Sequence, residues 1–202
     1  MMISTKNSTV LLKKMMAIAG LFWFFFLILY LFGALTFHAG ESFFTATHVW
    51  FSNSIFHPIL LTLLSITLAF HIAVAISRQL NNNESSGDRY KKPYPKAVPR
   101  VVAWSGASII LAFIITHSVQ MLSTDTANLY SEVQSIFQRP LMWAIYGLGM
   151  IAISTHLHHG LTNVLQTLGV SSKQYKGSAL IIVILIMAGY ASIPIGILYA
   201  KF

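Results

Sequence analysis

Five stretches of this chain, residues 15–37, 54–77, 101–123, 140–167 and 177–200, contain no Asp, Glu, Lys or Arg. A helix crossing the hydrocarbon of a bilayer needs about 20 predominantly apolar residues, and every one of the five is that long. The chain therefore reads as an all-α, integral membrane bundle of five transmembrane helices within a single domain spanning residues 1–202. Composition agrees. Only 9% of the 202 residues are charged and 55% are hydrophobic, against about 25% charged in ordinary soluble domains. The first stretch is longer than a signal-peptide core and no small-residue cleavage site follows it, so it is expected to stay in the membrane. Pro58 and Pro140 fall in expected first turns, where a missing N–H costs nothing. Pro194 lies inside the fifth stretch, where it is expected to bend the helix.

The bases set the orientation. Lys6, Lys13 and Lys14 precede the first stretch; Arg78, Arg89, Lys91, Lys92, Lys96 and Arg100 join the second to the third; Lys173 and Lys176 join the fourth to the fifth. Only Arg139 and Lys201 fall on the other side. The positive-inside rule then puts the N-terminus in the cytoplasm and the C-terminus outside. The net charge of +8 is accounted for by these loops, not by a basic face for nucleic acid. The long polar connection from Gln79 to Pro99 reads as a cytoplasmic loop, facing either anionic lipid or a partner protein. The outer segment from His38 to His57 alternates aromatic and polar residues and is expected to lie along the membrane surface.

With no formal charge in the spans, the informative residues are the histidines: His71, His117, His156, His158 and His159. An ionisable side chain in hydrocarbon is costly and marks a functional position. There is no Cys, which excludes disulfides, thiolate metal sites and cysteine-bound iron–sulfur clusters. Depth follows from a helix rise of about 1.5 Å per residue. His71 lies roughly 20 Å from Pro58 and His156 roughly 24 Å from Pro140, so both fall in the cytoplasmic half. His117 lies about 25 Å from Arg100, in the outer half, and Tyr30 on the first helix is about 24 Å from Lys14, at a similar level. Two imidazoles at one depth on two helices can ligate one haem b from either side. The small residues Gly33, Gly106, Gly160, Ala73 and Ala103 serve either a macrocycle's approach or helix packing.

The run HLHHGLTNVLQTLG from His156 to Gly169 resembles the fourth-helix signature of the single-chain cytochrome b subunit of succinate:quinone oxidoreductases. This is the membrane anchor of many bacterial succinate dehydrogenases and fumarate reductases. The run FHIAVAISR around His71 and the run RVVAWSGASIILAFIITH from Arg100 to His117 are similar to its second and third helices, and SIPIG to the end of its fifth. The resemblance covers about Lys13 to Ala200. It implies a four-helix haem-carrying bundle with a fifth peripheral helix, in the bacterial inner membrane. It implies His71 and His156 as axial ligands of a proximal haem, with Arg100 and Ser105 in the haem environment. His117 would serve a distal haem, whose other ligand in the family is a His ten residues before a Gly-Glu pair. In this chain Gly40 and Glu41 are present and the tenth residue back is Tyr30. The distal position is thus His/Tyr-ligated, five-coordinate, rearranged or empty.

The family's flavoprotein and iron–sulfur subunits would dock on the cytoplasmic face and carry out succinate or fumarate chemistry. This chain would anchor them and pass electrons between the iron–sulfur subunit and quinone, menaquinone or ubiquinone. Polar and aromatic residues at the outer interface, His38, Glu41, His48 and Trp50, are candidates for the quinone site. Other readings are a different quinone-linked b-type cytochrome, of the b561 or formate dehydrogenase anchor type, and a haem-free structural anchor.

Overall fold

The computed structural model of the chain describes residues 5–84, 100–169 and 174–200. Its elements are α1 (Thr5–Leu35), a 3-10 turn (Thr36–Ala39), α2 (Glu41–Ser52), α3 (Phe56–Glu84), α4 (Arg100–Leu122), a second 3-10 turn (Thr126–Asn128), α5 (Leu129–Ile136), α6 (Pro140–Thr167) and α7 (Gln174–Tyr199). Every described element is helical. Five are long and apolar enough to cross a bilayer: Val10–Ala39, Phe56–Ser77, Trp104–Leu122, Pro140–Thr167 and Gly177–Tyr199.

The helices overrun the apolar stretches. α1 begins at Thr5, ten residues before the uncharged stretch that starts at Met15, and α3 continues through Asn81–Asn83 to Glu84. Hydropathy marks where lipid is tolerated, whereas the backbone ladder continues as long as each N–H finds its carbonyl four residues back. The polar connection is thus helical in its first part. Its bases Arg89, Lys91, Lys92 and Lys96 lie outside the described residues.

At one end of the bundle two short helices close the structure. Gly40 has φ +97°, a conformation glycine adopts without a Cβ penalty, and it separates the 3-10 turn from α2. Asp125 caps the second 3-10 turn by accepting the Ala127 N–H at 3.0 Å. Phe37, Phe44, Leu129, Ile136, Phe137, Ile193 and Ile197 form a buried cluster under this cap, with Phe37 stacked on Tyr130 at 4.4 Å between centroids. Below it, Phe24 and Leu31 of α1 pack with Ile186 of α7.

Outside these clusters the spans show apolar side chains: Phe32 is 67% exposed, Ile151 64% and Leu185 65%. Such faces are tolerable only where the surrounding solvent is hydrocarbon. The hydroxyls on these helices bond back to their own turns, as Thr62 does to Pro58 O (2.8 Å), Ser65 to Leu61 O (2.8 Å) and Thr116 to Ala112 O (2.8 Å). Bonding of this kind lets a polar residue sit in a lipid-facing helix.

Packing centres on α1 and α6. α6 lies against α1, α4 and α7, and α3 leans chiefly on α1. Between α4 and α6 the approach is close because Gly149 offers no side chain: a Cβ there would run into the Phe113 ring. The fifth helix, α7, sits outside the α1–α6 pair yet carries much of the buried surface, with Ala179, Val183, Ile186, Ile193 and Ile197 all buried. It continues through Pro194, and Tyr190 one turn earlier ties it to α1 by donating to Leu27 O at 2.6 Å.

Candidate functional site

α3 and α6 do not pack closely backbone to backbone, but one side chain from each reaches across. The rings of His71 and His156 meet with their centroids 6.1 Å apart and their planes at 72°. Imidazoles on opposite sides of one metal, with bonds of about 2 Å, place their ring centroids roughly 6 Å apart, and rotation about the common axis is free. His71 Nδ1 is buried with no well-formed hydrogen bond among the described residues, although the Met16 backbone carbonyl of α1 interacts with the same ring. A buried nitrogen left without one costs about 1–3 kcal/mol unless something outside the chain satisfies it. Gly160 stands one turn along α6 from His156 on the same face, and the space where its Cβ would lie is open. The same is true at Gly33 and Gly106, so these three glycines do not serve close helix packing.

The other two histidines of α6 point elsewhere. His159 pairs with Asn163 at 2.8 Å. His158 lines an apolar groove of about 500 Å³ between α6 and α7, with Ser154, Thr155 and Met187. Only His156 of the three faces His71.

Toward the capped end, His117 and Tyr30 are brought together, in direct contact. Tyr30 Oη is 3.1 Å from His117 Nε2, and His117 Nδ1 is 3.2 Å from Tyr146 Oη. Tyr146 donates its single hydroxyl proton to Gln120 Oε1 at 2.9 Å, so its oxygen accepts from His117 Nδ1–H. His117 Nε2 is then the acceptor, and the Tyr30 hydroxyl donates to it. The polarity of the chain is fixed from Tyr30 through His117 and Tyr146 to Gln120, whose amide N–H ends it on Met142 Sδ at 3.3 Å. Phe113 stacks on His117 at 5.9 Å and 12°, and Phe26 stacks on Tyr30 at 5.7 Å and 22°. Tyr146, Gln120 and Phe113 are participants that sequence reasoning missed. Gln120, one turn after His117 on α4, was the signal within reach; Tyr146 had none, being one aromatic in an apolar run.

Ser105 is exposed on α4, roughly 18 Å along the helix from His117. The side chain of Arg100 lies outside the described residues.

The interfacial candidates do not converge. His38 Nε2–H donates to Ser192 Oγ at 2.8 Å, Ser192 in turn donating to Gly189 O, which pins the 3-10 turn after α1 to α7. Glu41 is exposed in the first turn of α2, where the helix dipole favours a carboxylate. Trp50 is 74% exposed and belongs to an interfacial belt in character. His48 folds back on its own helix, its Nδ1–H donating to Phe44 O at 2.8 Å with the ring against Phe44 at 4.1 Å.

Burial holds the His48 imidazole below its ordinary value of 6.5, opposed in part by the bond to the Phe44 carbonyl. A depressed folded value means that the unfolded chain takes up the proton first, so the contribution of neutral His48 is present at higher pH and is lost as pH falls through about 6.5. The thermal midpoint in detergent is expected to drop between about pH 7.5 and 5.5, and His48→Gln to remove part of that drop. Identical pH slopes for the two proteins would contradict this role for His48.

Among the described residues no group of three or more His, Asp or Glu could hold a metal ion by itself. A haem needs only two protein ligands, because the macrocycle supplies the other four. No family model, curated protein or solved structure matches the chain.

Proposed function

We propose that this chain is the membrane cytochrome b subunit of a succinate dehydrogenase or fumarate reductase complex, passing electrons between an iron–sulfur subunit and quinone. The observation that carries the reading is the pair His71–His156, two imidazoles from α3 and α6 meeting at a spacing that suits one iron. His71 Nδ1, buried without a well-formed hydrogen bond, and the open space beside Gly160 favour a flat group between these helices. Haem bound there would take up and release one electron at a time.

The chain's own contribution is to hold and shield. His71 and His156 would be the axial ligands, projected from helices whose backbones stay apart. The apolar flanks of α1, α3 and α6 keep water from the site, which makes the local dielectric low and the potential sensitive to nearby charge. The charge asymmetry of the loops supports a cytoplasmic N-terminus in a bacterial inner membrane, with the α2–α5 cap outside. On that orientation His71 and His156 lie in the cytoplasmic half, near the face where flavoprotein and iron–sulfur subunits would dock. As the family resemblance implies, dicarboxylate chemistry belongs to those partners. The quinone, menaquinone or ubiquinone, is the second substrate.

Purification of the tagged chain from its own membrane in mild detergent tests the assignment. A flavoprotein and an iron–sulfur subunit in equal amounts, with succinate-reducible haem b, are the expected result. Haem without a flavoprotein partner would move the chain to another class of quinone-linked cytochrome. A colourless preparation would leave it a structural anchor.

A further inference from the structure

We propose that this chain binds one haem only, between His71 and His156, and that the position shared by Tyr30 and His117 is closed to a second. The inference rests on the proposed haem-carrying function and concerns the other half of the same bundle.

The two positions differ in one measurable respect. An iron between two axial donors holds them about 4 Å apart, at roughly 2 Å from each. Tyr30 Oη and His117 Nε2 are 3.1 Å apart, a direct hydrogen bond with no room for a metal between its ends. The ring centroids agree. Tyr30 and His117 lie 5.9 Å apart, although a phenol oxygen stands farther from its ring centre than an imidazole nitrogen does. An iron-bridged Tyr–His pair therefore needs a longer centroid separation than the roughly 6 Å of a His–His pair.

Protons and packing close the position further. Both nitrogens of His117 are engaged, Nε2 accepting from Tyr30 and Nδ1–H donating to Tyr146. Tyrosine ligates haem iron as the phenolate, whereas the Tyr30 proton is held in its bond to His117. Around this bond Phe113 lies nearly parallel to the imidazole at 5.9 Å between centroids and Phe26 nearly parallel to the phenol at 5.7 Å, and Tyr190 stands 6.3 Å from Tyr30. A macrocycle held by His117 would lie across its Nε2, perpendicular to the bond, and that place is taken by the Tyr30 hydroxyl. The structure thus fills this half with a hydrogen-bonded aromatic layer, and the electron path ends in the half that holds His71 and His156.

A pyridine haemochrome assay on the purified complex, referred to the amount of this chain, gives the answer. The expected value is close to one haem per chain. His117→Leu and Tyr30→Phe are each expected to keep that value and the same low-spin electron paramagnetic resonance signal. A value close to two overturns the inference and leaves the proposed function standing. Loss of about half the haem in either variant also overturns it. A value of zero overturns this inference and the proposed function together. Tyr30→Phe removes one hydroxyl from a partly buried ring and keeps the ring, so the comparison survives if His117→Leu fails to accumulate.

Discussion

His71→Ala and His156→Ala each remove the low-spin bis-imidazole signal from the purified complex. Haem per chain is expected to fall at least roughly tenfold, since loss of even an outer-shell partner of a metal ligand costs 10–100-fold in affinity. The physical reason is that each imidazole supplies one axial bond and neither helix offers a replacement. His159, the nearest alternative on α6, is turned toward Asn163, and His158 toward the α6–α7 groove. His159→Ala is therefore expected to leave the signal unchanged. If His156→Ala kept the signal and His159→Ala removed it, α6 would have to be rotated so that His159, not His156, faces His71. The measurement is the spectrum and haem content of each variant beside the wild type.

Tyr30→His is expected to do the opposite and raise the haem content from one toward two per chain. The shorter imidazole withdraws from His117 and ends the direct hydrogen bond of 3.1 Å. His117 is already oriented as a ligand should be, with Nδ1–H given to Tyr146 and Nε2 facing the position across from it. Ligating histidines donate their other ring N–H in this way. The readout is a second low-spin signal together with the haemochrome ratio. An unchanged spectrum in a folded Tyr30→His protein would count against a distal haem position at residue 30.

The bundle was legible because hydrocarbon forbids charge: five uncharged stretches give five helices, and their ends differ most where the helices run on into polar sequence, as α1 does before Met15 and α3 does past Ser77. The pairing of His71 with His156 was legible as depth, since rise per residue converts sequence position into height within a bilayer of known thickness. Azimuth was harder. Which of His156, His158 and His159 turns inward depends on the packing of α6 against α1, α4 and α7, and sequence spacing alone leaves three choices. The Tyr30–His117 juxtaposition was legible in height; its closure by Tyr146 was not. That bond joins α4 to α6 through a contact made possible by Gly149, and no local pattern encodes it. The interfacial residues His38, Glu41, His48 and Trp50 share a level but not a site, because two of them spend their polar atoms on neighbouring backbone or hydroxyl groups. The short helix α5 was unforeseen: its eight residues are too few to show a period beside the longer spans.

The proposed function stands on an iron between His71 and His156, and the reduced-minus-oxidised absorption spectrum of the purified wild-type complex reaches that claim most directly when read with its oxidised-state electron paramagnetic resonance. A b-type α band with a low-spin bis-imidazole signal, both absent from His71→Ala, is the predicted result. A complex with neither feature, or one whose spectrum is indifferent to His71 and His156, would contradict it.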